Sequence, residues 1–239
     1  MAIFTMSDLH LSLDTDKSME VFGAGWHNYI NRIRENWHSL VNDGDTVLIG
    51  GDISWAMHLC DCRKDFEFIN SLPGKKLLFK GNHDYWWESL TKMNTFLSEN
   101  DFSTLSFVNN NAVICEDTLI AGTRGWTLPG DSGFGPDDEK IYSRELLRLE
   151  LSLKNGEELL KENDLNPSKR VCVLHYPPFT REHILDGNVS GLLKSYGVTD
   201  CFYGHLHSQS AQNAANGVYD GVNYRLVSAD YLGFVPLKI

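Results

Sequence analysis

The sequence predicts an α/β fold built on a largely parallel sheet. Short apolar runs typical of strands alternate with segments of helical periodicity along most of the 239 residues. Alternation of this kind is typical of helices packed on parallel strands. Several of the apolar runs also end in Asp, Asn or His, and α/β proteins bind ligands beyond the carboxyl ends of their strands. We therefore expect a ligand site at such a sheet edge.

The first half of the chain shows this alternation most clearly. Strands are predicted in AIFTM, DTVLIGG and KKLLF. In the first predicted helix, apolar residues such as Ile33 and Trp37 recur at helical spacing. The helices expected here cover residues 27–42, 61–71 and 85–100.

The second half adds shorter β-type pieces. FVNNNAVICE and TLIAG precede a segment rich in Gly, Pro and Asp, residues 123–139, which predicts a long loop. A charged helix is expected over residues 140–163 and another near 190–196. RVCVLHY, CFYGH, NYRLVSAD and FVPLKI are further predicted strands. No linker or repeat interrupts the chain, so we expect a single domain over residues 1–239.

Composition and charge narrow the class of protein. The chain has 21 Lys and Arg against 32 Asp and Glu, a net charge of −11. This charge disfavours nucleic acid and anionic membranes as partners, but it leaves room for a small phosphate-ester substrate at a local metal centre. No signal peptide or long apolar run is visible, and the odd number of cysteines indicates free thiols. We expect a cytoplasmic protein, and the oligomeric state is not indicated.

Five apolar runs end in side chains that can bind a metal ion. A lone Asp or His at a strand end is more often a turn, cap or core residue, but turns explain five similar endings poorly. In an extended chain residues i and i+2 face the same way, so Asp8 can pair with His10, and His205 with His207. Glycines that precede several of these residues permit sharp turns. The candidate ligands are Asp8, His10, Asp52, Asn82, His175, His205 and His207.

The type of ligand restricts the metal. Nitrogen and oxygen donors without thiolate suit manganese, iron, zinc or nickel better than calcium or magnesium. Seven ligands are too many for one tetrahedral ion, so we expect two divalent transition-metal ions, with manganese preferred. The Cys60-Asp61-Cys62 spacing is not that of a zinc or redox motif.

The motifs D-x-H, GD, GNHD, a later lone His and GH-x-H occur in this order between residues 8 and 207. This series resembles the calcineurin-like metallophosphoesterase family, which implies a four-layer α/β/β/α sandwich with a dinuclear metal centre. By this resemblance Asp52 bridges the two ions and His83 is the catalytic histidine. The first ion takes Asp8, His10, Asp52 and His207, and the second takes Asp52, Asn82, His175 and His205.

The chain also departs from some branches of that family. Protein Ser/Thr phosphatases continue the second motif with an Asp and an Arg, and purple acid phosphatases have a Tyr ligand where this chain has Trp55. Lipid-precursor pyrophosphatases usually have Arg in place of His83. The sequence is more similar to compact bacterial phosphohydrolases that open with S-D-L-H-L. Without the usual Asp at position 55, Asp84 is an alternative partner for His83, although we expect it to cap a helix.

The resemblance implies a metal-dependent phosphoric ester hydrolase. It would cleave phosphomonoester or phosphodiester bonds of a small substrate through a hydroxide that bridges the two ions, with His83 protonating the leaving oxygen. A nuclease, a cyclic-nucleotide phosphodiesterase and a non-catalytic scaffold remain alternatives. The physiological substrate is not indicated.

Aromatic and basic residues near the motifs are candidates for substrate contacts. Trp86 and Trp87 are expected to pack in the core, while the 123–139 loop is long enough to act as a lid. The side chains that could line a pocket or contact phosphate are Trp55, Tyr85, Trp126, Arg124 and Arg181.

Overall fold

A computed structural model describes residues 1–179 and 187–239, so Arg181 lies outside the described residues. The chain divides into two compact units. The first unit is Met1–Phe107 with Val227–Ile239, and the second unit is Val108–Leu226. Strands are numbered β1–β11 and α-helices α1–α5 along the chain. That these units make up one domain stays a prediction.

The first unit contains a five-stranded mixed sheet. Its strand order is β11-β1-β2-β3-β4, with β1 to β4 parallel and β11 antiparallel to β1. The pairing aligns Met6 with Ile49 and Ile49 with Leu78, so β1, β2 and β3 end level with one another. The strands are Ile3–Met6 (β1), Thr46–Ile49 (β2), Lys75–Leu78 (β3), Leu105–Phe107 (β4) and Leu237–Lys238 (β11).

Three α-helices belong to the first unit. They are Tyr29–Leu40 (α1), Arg63–Ser71 (α2) and Leu90–Glu99 (α3). The expected start of α3 near residue 85 is wrong, because the Ser89 side chain caps this helix by accepting from the Lys92 amide. The preceding residues are irregular, and they place Trp86 in the core as predicted, with Trp87 partly buried against it.

The second unit contains a six-stranded mixed sheet. Its strand order is β5-β6-β7-β8-β10-β9, with a parallel centre from β6 to β10 and an antiparallel strand at each edge. The edge strand β9 was not predicted from the sequence. The strands are Val113–Cys115 (β5), Thr118–Thr123 (β6), Lys169–Leu174 (β7), Asp200–Tyr203 (β8), Gly217–Tyr219 (β9) and Val222–Leu226 (β10).

Two described α-helices belong to the second unit, Pro136–Glu162 (α4) and Asn188–Ser195 (α5). The helix α4 begins four residues before the predicted start, so the long loop is shorter than expected. Proline is well suited to the first position of a helix, and the Asp138 carboxylate accepts from the Gly135 amide at 3.0 Å. At Gly156 the helix approaches β6 so closely that an added Cβ would lie 2.9 Å from Leu119.

Each unit therefore carries an α/β sheet whose parallel strands end level, as the sequence predicts. In the second unit, Leu174 aligns with Tyr203, so the residues that follow β7 and β8 also share one edge. No helix within residues 1–179 and 187–239 has the length and apolar character needed to cross a membrane.

Lys76, in β3 of the first sheet, is a buried ionisable residue that makes the stability of the protein depend on pH. Its side chain is fully buried, and its ammonium donates to the carbonyls of Leu72 at 2.6 Å and Gly74 at 2.8 Å. Burial lowers the pKa of Lys76 from its ordinary 10.5 to about 8. Between these values the unfolded chain holds more protons than the folded one, so this group makes the protein more stable as the pH rises.

We expect the wild type to gain about 1–2 kcal/mol of unfolding free energy relative to Lys76→Met between about pH 8 and 9.5. Urea unfolding at several pH values measures this difference. Lys75→Met, at an exposed position on the same strand, is the matched control and should keep the wild-type slope. Parallel pH profiles for the wild type and Lys76→Met would contradict the assignment.

Candidate metal centre

Three candidate ligands that follow β1 and β2 lie together in the first unit. Asp8, His10 and Asp52 are 0%, 3% and 1% exposed. The His10 Nε2 atom lies 3.9 Å from Asp8 Oδ1 and 3.7 Å from Asp52 Oδ2. Carboxylate oxygens of Asp8 and Asp52 lie within 4.8 Å of each other. We call these three side chains the acidic cluster.

The backbone of the acidic cluster is left-handed. The φ angles are 61° at Asp8, 46° at His10 and 49° at Asp52, a region that non-glycine residues adopt at a cost in conformational energy. The expectation that Asp8 and His10 pair through an extended chain is therefore wrong in its geometry, although the two side chains do meet. Two interstrand bonds hold the turns, from the Asp8 amide to Gly51 and from the His10 amide to Asp52.

Gly51 and Gly81 allow the turns after β2 and β3 to touch. A Cβ added at Gly81 would lie 2.1 Å from Asp52 Oδ1, and one added at Gly51 would lie 2.6 Å from the Gly81 amide nitrogen. Gly51 also has a φ of 97°, which side chains rarely adopt. The glycines of the GD and GNHD motifs are thus required for backbone contact.

Asp84 joins these two turns. Its carboxylate accepts from the amides of Asp52, Ile53 and Gly81 at 2.9, 2.9 and 2.7 Å. It also accepts from the Ser54 amide and the Trp86 indole at 3.3 and 3.1 Å. The expectation that Asp84 caps a helix is therefore wrong, because its two oxygens serve five N–H groups around the candidate site.

His83 is held by its backbone and by an aromatic neighbour. Its amide donates to Asp52 Oδ1 at 2.8 Å, and its ring centroid lies 4.5 Å from that of Trp55. Trp55 also stacks on His10 at 5.0 Å with an interplanar angle of 23°. Trp55, expected to line a pocket, therefore packs against two imidazoles of the candidate site. The Tyr85 ring lies 6.1 Å from that of His83.

Two supporting residues were not identified from the sequence. The buried Asp65 carboxylate accepts from the Ser54 hydroxyl at 2.5 Å and from the Leu13 amide at 2.8 Å, and burial raises its pKa to about 6. The Tyr29 hydroxyl donates to the His10 carbonyl at 2.9 Å. Both residues lie in helices with no adjacent motif, so no local pattern distinguishes them from ordinary helical residues.

The second unit holds the other three candidate histidines, His175, His205 and His207. His175 follows β7 and is fully buried, and its ring centroid lies 5.3 Å from that of His205. The Gly204 amide donates to the His175 carbonyl at 3.0 Å, and His205 again has a left-handed φ of 71°. Tyr176 packs against His205 with ring centroids 4.2 Å apart. The His207 amide donates to the Ser210 hydroxyl.

Arg124, a candidate phosphate contact, pairs with a carboxylate in the second unit. Its guanidinium lies 3.1 Å from Glu145 and 4.5 Å from the ring centroid of Trp126. Glu145 is buried and also binds Arg148 at 2.6 Å. The ion pair makes Arg124 a structural side chain in this arrangement.

The acidic cluster has the chemistry of a divalent metal site. It presents two carboxylates and one imidazole, the donors that transition-metal ions accept in proteins. The two cysteines of the Cys60-Asp61-Cys62 stretch are poor metal ligands, because Cys60 is exposed and burial raises the pKa of Cys62, which disfavours the thiolate.

Residues 1–209 match the family model described as calcineurin-like phosphoesterase. The chain belongs to the calcineurin-like phosphoesterase family. This membership and the two mixed sheets with their helices confirm the predicted metallophosphoesterase fold class. A search of curated proteins finds no match to the sequence.

Several solved structures share the fold of this phosphoesterase. A phosphopantetheinyl hydrolase from Mycobacterium tuberculosis is 14% identical, with a TM-score of 0.56 over 100% of this chain and 95% of that one. A protein of unknown function from Aquifex aeolicus is 14% identical, with a TM-score of 0.51 over 99% and 95% of the two chains. A protein from Thermus thermophilus is 14% identical, with a TM-score of 0.52 over 86% and 81% of the two chains.

Family membership and the candidate ligands identify this phosphoesterase as a metal-dependent hydrolase of phosphate esters that uses divalent ions. The predicted enzyme class is confirmed.

We expect Asp84→Asn to weaken both the fold and the activity of this phosphoesterase. The amide NH₂ of Asn cannot accept, so at least one of the groups bonded to the Asp84 carboxylate loses its acceptor inside the protein. A loss of roughly 2–3 kcal/mol in unfolding free energy is expected from urea titration. Asp16→Asn, at an exposed position, is the control. Wild-type stability and kcat/KM in Asp84→Asn would contradict the role of Asp84.

Proposed function

We propose that the chain is a dinuclear phosphoesterase that hydrolyses phosphomonoester or phosphodiester bonds of a small substrate. The observation that carries this proposal is the buried acidic cluster, to which the His83 amide is hydrogen-bonded through Asp52. Two divalent ions, preferably manganese, would be held by Asp8, His10, Asp52, Asn82, His175, His205 and His207, as the family resemblance implies.

Buried carboxylates support the proposal of a cationic cofactor. Asp8 and Asp52 are almost completely inaccessible to water, and a bound cation would compensate the negative charge that these two carboxylates bring into the interior. Two divalent ions outweigh the two carboxylates, so the loaded site attracts an anionic phosphate although the chain carries a net charge of −11. That net charge disfavours a nuclease.

The bound ions supply Lewis-acid chemistry, which activates water and neutralises charge on the phosphoryl oxygens. The residues of the chain position the reacting groups. Trp55 and the backbone bond to Asp52 fix His83 beside the acidic cluster. From there the imidazolium of His83 donates a proton to the leaving oxygen as the bond between phosphorus and that oxygen breaks.

We expect Asp52→Asn to reduce metal content and activity more than His207→Ala. Asp52 is proposed to contact both ions and supplies half of the carboxylate charge, whereas His207 is proposed to contact one ion. Elemental analysis of reloaded protein should give about two ions per chain in the wild type and fewer than about one in Asp52→Asn. The kcat/KM for a phosphodiester should fall further in Asp52→Asn than in His207→Ala. Equal metal content and equal activity in the two variants would refute the bridging role.

We expect His83→Ala to discriminate between leaving groups. An alkoxide must be protonated as it leaves, so kcat/KM for an alkyl phosphate ester should fall by about 10²–10⁴-fold. A nitrophenolate leaves almost unaided, so the nitrophenyl ester should lose far less. Metal content, measured alongside, should stay at the wild-type value. Equal losses on both substrates would argue against proton donation, and loss of metal would make His83 a ligand instead.

A further inference from the structure

A large cavity lies wholly within the second unit. Its volume is about 760 Å³, in the range of small-molecule binding sites. Rings of four aromatic residues and the proposed ligand His205 line it, together with aliphatic and small polar side chains. We call it the aromatic cavity, and its lining residues that matter here are Trp126, Leu128, Tyr142, Tyr176, Phe179 and His205.

Trp126 is held in place as a flat wall of this cavity. Its indole N–H donates to Asp138 at 3.0 Å, and the Arg124 guanidinium lies 4.5 Å from its ring centroid. The Tyr176 ring is 5.2 Å away. Because these contacts fix the ring before any ligand binds, a planar group stacking on it would order no flexible side chain.

The charge of the lining selects against a second phosphate group. None of the described lining residues is Lys or Arg, and Asp131 contributes a carboxylate that accepts from the Leu128 amide at 2.7 Å. Arg124, whose guanidinium lies over Trp126, is paired with Glu145. An uncharged group therefore fits the aromatic cavity better than an anionic one.

His205 connects the aromatic cavity with the proposed chemistry. It lines the cavity and packs against Tyr176 at 4.2 Å, while the resemblance assigns its imidazole to a metal ion. A phosphoryl group bound at that ion would have its organic substituent next to Tyr176 and Trp126.

We propose that the aromatic cavity binds the uncharged aromatic group of a phosphate ester whose phosphoryl group lies beside His205. This inference rests on the proposed function and narrows its substrate class to monophosphate esters or diesters of aromatic groups. A polyphosphate fits the cavity poorly, because the described lining residues include the carboxylate of Asp131 and no Lys or Arg.

Calorimetric titration of reloaded protein with methylphosphonate and phenylphosphonate tests the inference, because each probe carries only one organic group. We expect phenylphosphonate to bind the wild type about tenfold more tightly or better, from stacking and apolar burial. The ratio of the Kd of methylphosphonate to the Kd of phenylphosphonate should fall toward one in Trp126→Ala. In Leu128→Ala, which is the milder change, the same ratio should fall severalfold. Leu151→Ala, at an exposed position of α4, is the matched control and should keep the wild-type ratio.

Three results would overturn the inference: equal affinities in the wild type, a ratio that survives both cavity variants, or no binding of either phosphonate. Turnover of nitrophenyl phosphate by the same preparation separates this failure from failure of the proposed function. An active enzyme without the aromatic preference retains the proposed function and loses only the cavity assignment. An inactive, metal-loaded protein loses both.

Discussion

The candidate site in the first unit depends on the carboxylate of Asp84. Its two oxygens accept hydrogen bonds from five N–H groups, and four of these groups are backbone amides that follow β2 and β3. Amides that converge on one carboxylate are prevented from bonding elsewhere, so the turns that carry Asp52 and His83 are fixed relative to each other. The position of both functional side chains follows from this buried network.

The same part of the structure compensates for strained backbone. Asp8, His10 and Asp52 have left-handed φ angles, which cost conformational energy for residues with a Cβ. Backbone bonds from Asp8 to Gly51 and from His10 to Asp52 offset that cost and turn the side chains toward one another. The buried Asp65, with a pKa raised to about 6, is a further unfavourable group, and its bonds to Leu13 and Ser54 hold the segments beside the site. The geometry of the acidic cluster therefore comes at a cost in stability.

In the second unit, the charge of Arg124 beside the aromatic cavity is compensated by a carboxylate. Arg124 and Arg148 are paired with the buried Glu145, and the Arg124 guanidinium also lies over the ring of Trp126. The pairing compensates the positive charge next to Trp126, and the rings of Trp126 and Tyr176 line the aromatic cavity together with His205. In the proposed function, the metal centre recognises the charge of the phosphoryl group and the aromatic cavity recognises the organic group.

The sequence by itself determined the alternation of strands and helices, the α/β class and the identity of the candidate ligands. These are local properties, since apolar periodicity and the residues after a strand can be read within a few positions. The tertiary structure alone decided the role of Asp84 and the contact of Trp55 with His10 and His83. The contacts of Asp84 and of Trp55 join segments that are far apart in the chain. The residues next to a side chain in the sequence do not specify which distant group that side chain contacts. Asp84 and Trp86, which are bonded to each other, lie before α3, which begins at Leu90 after its Ser89 cap.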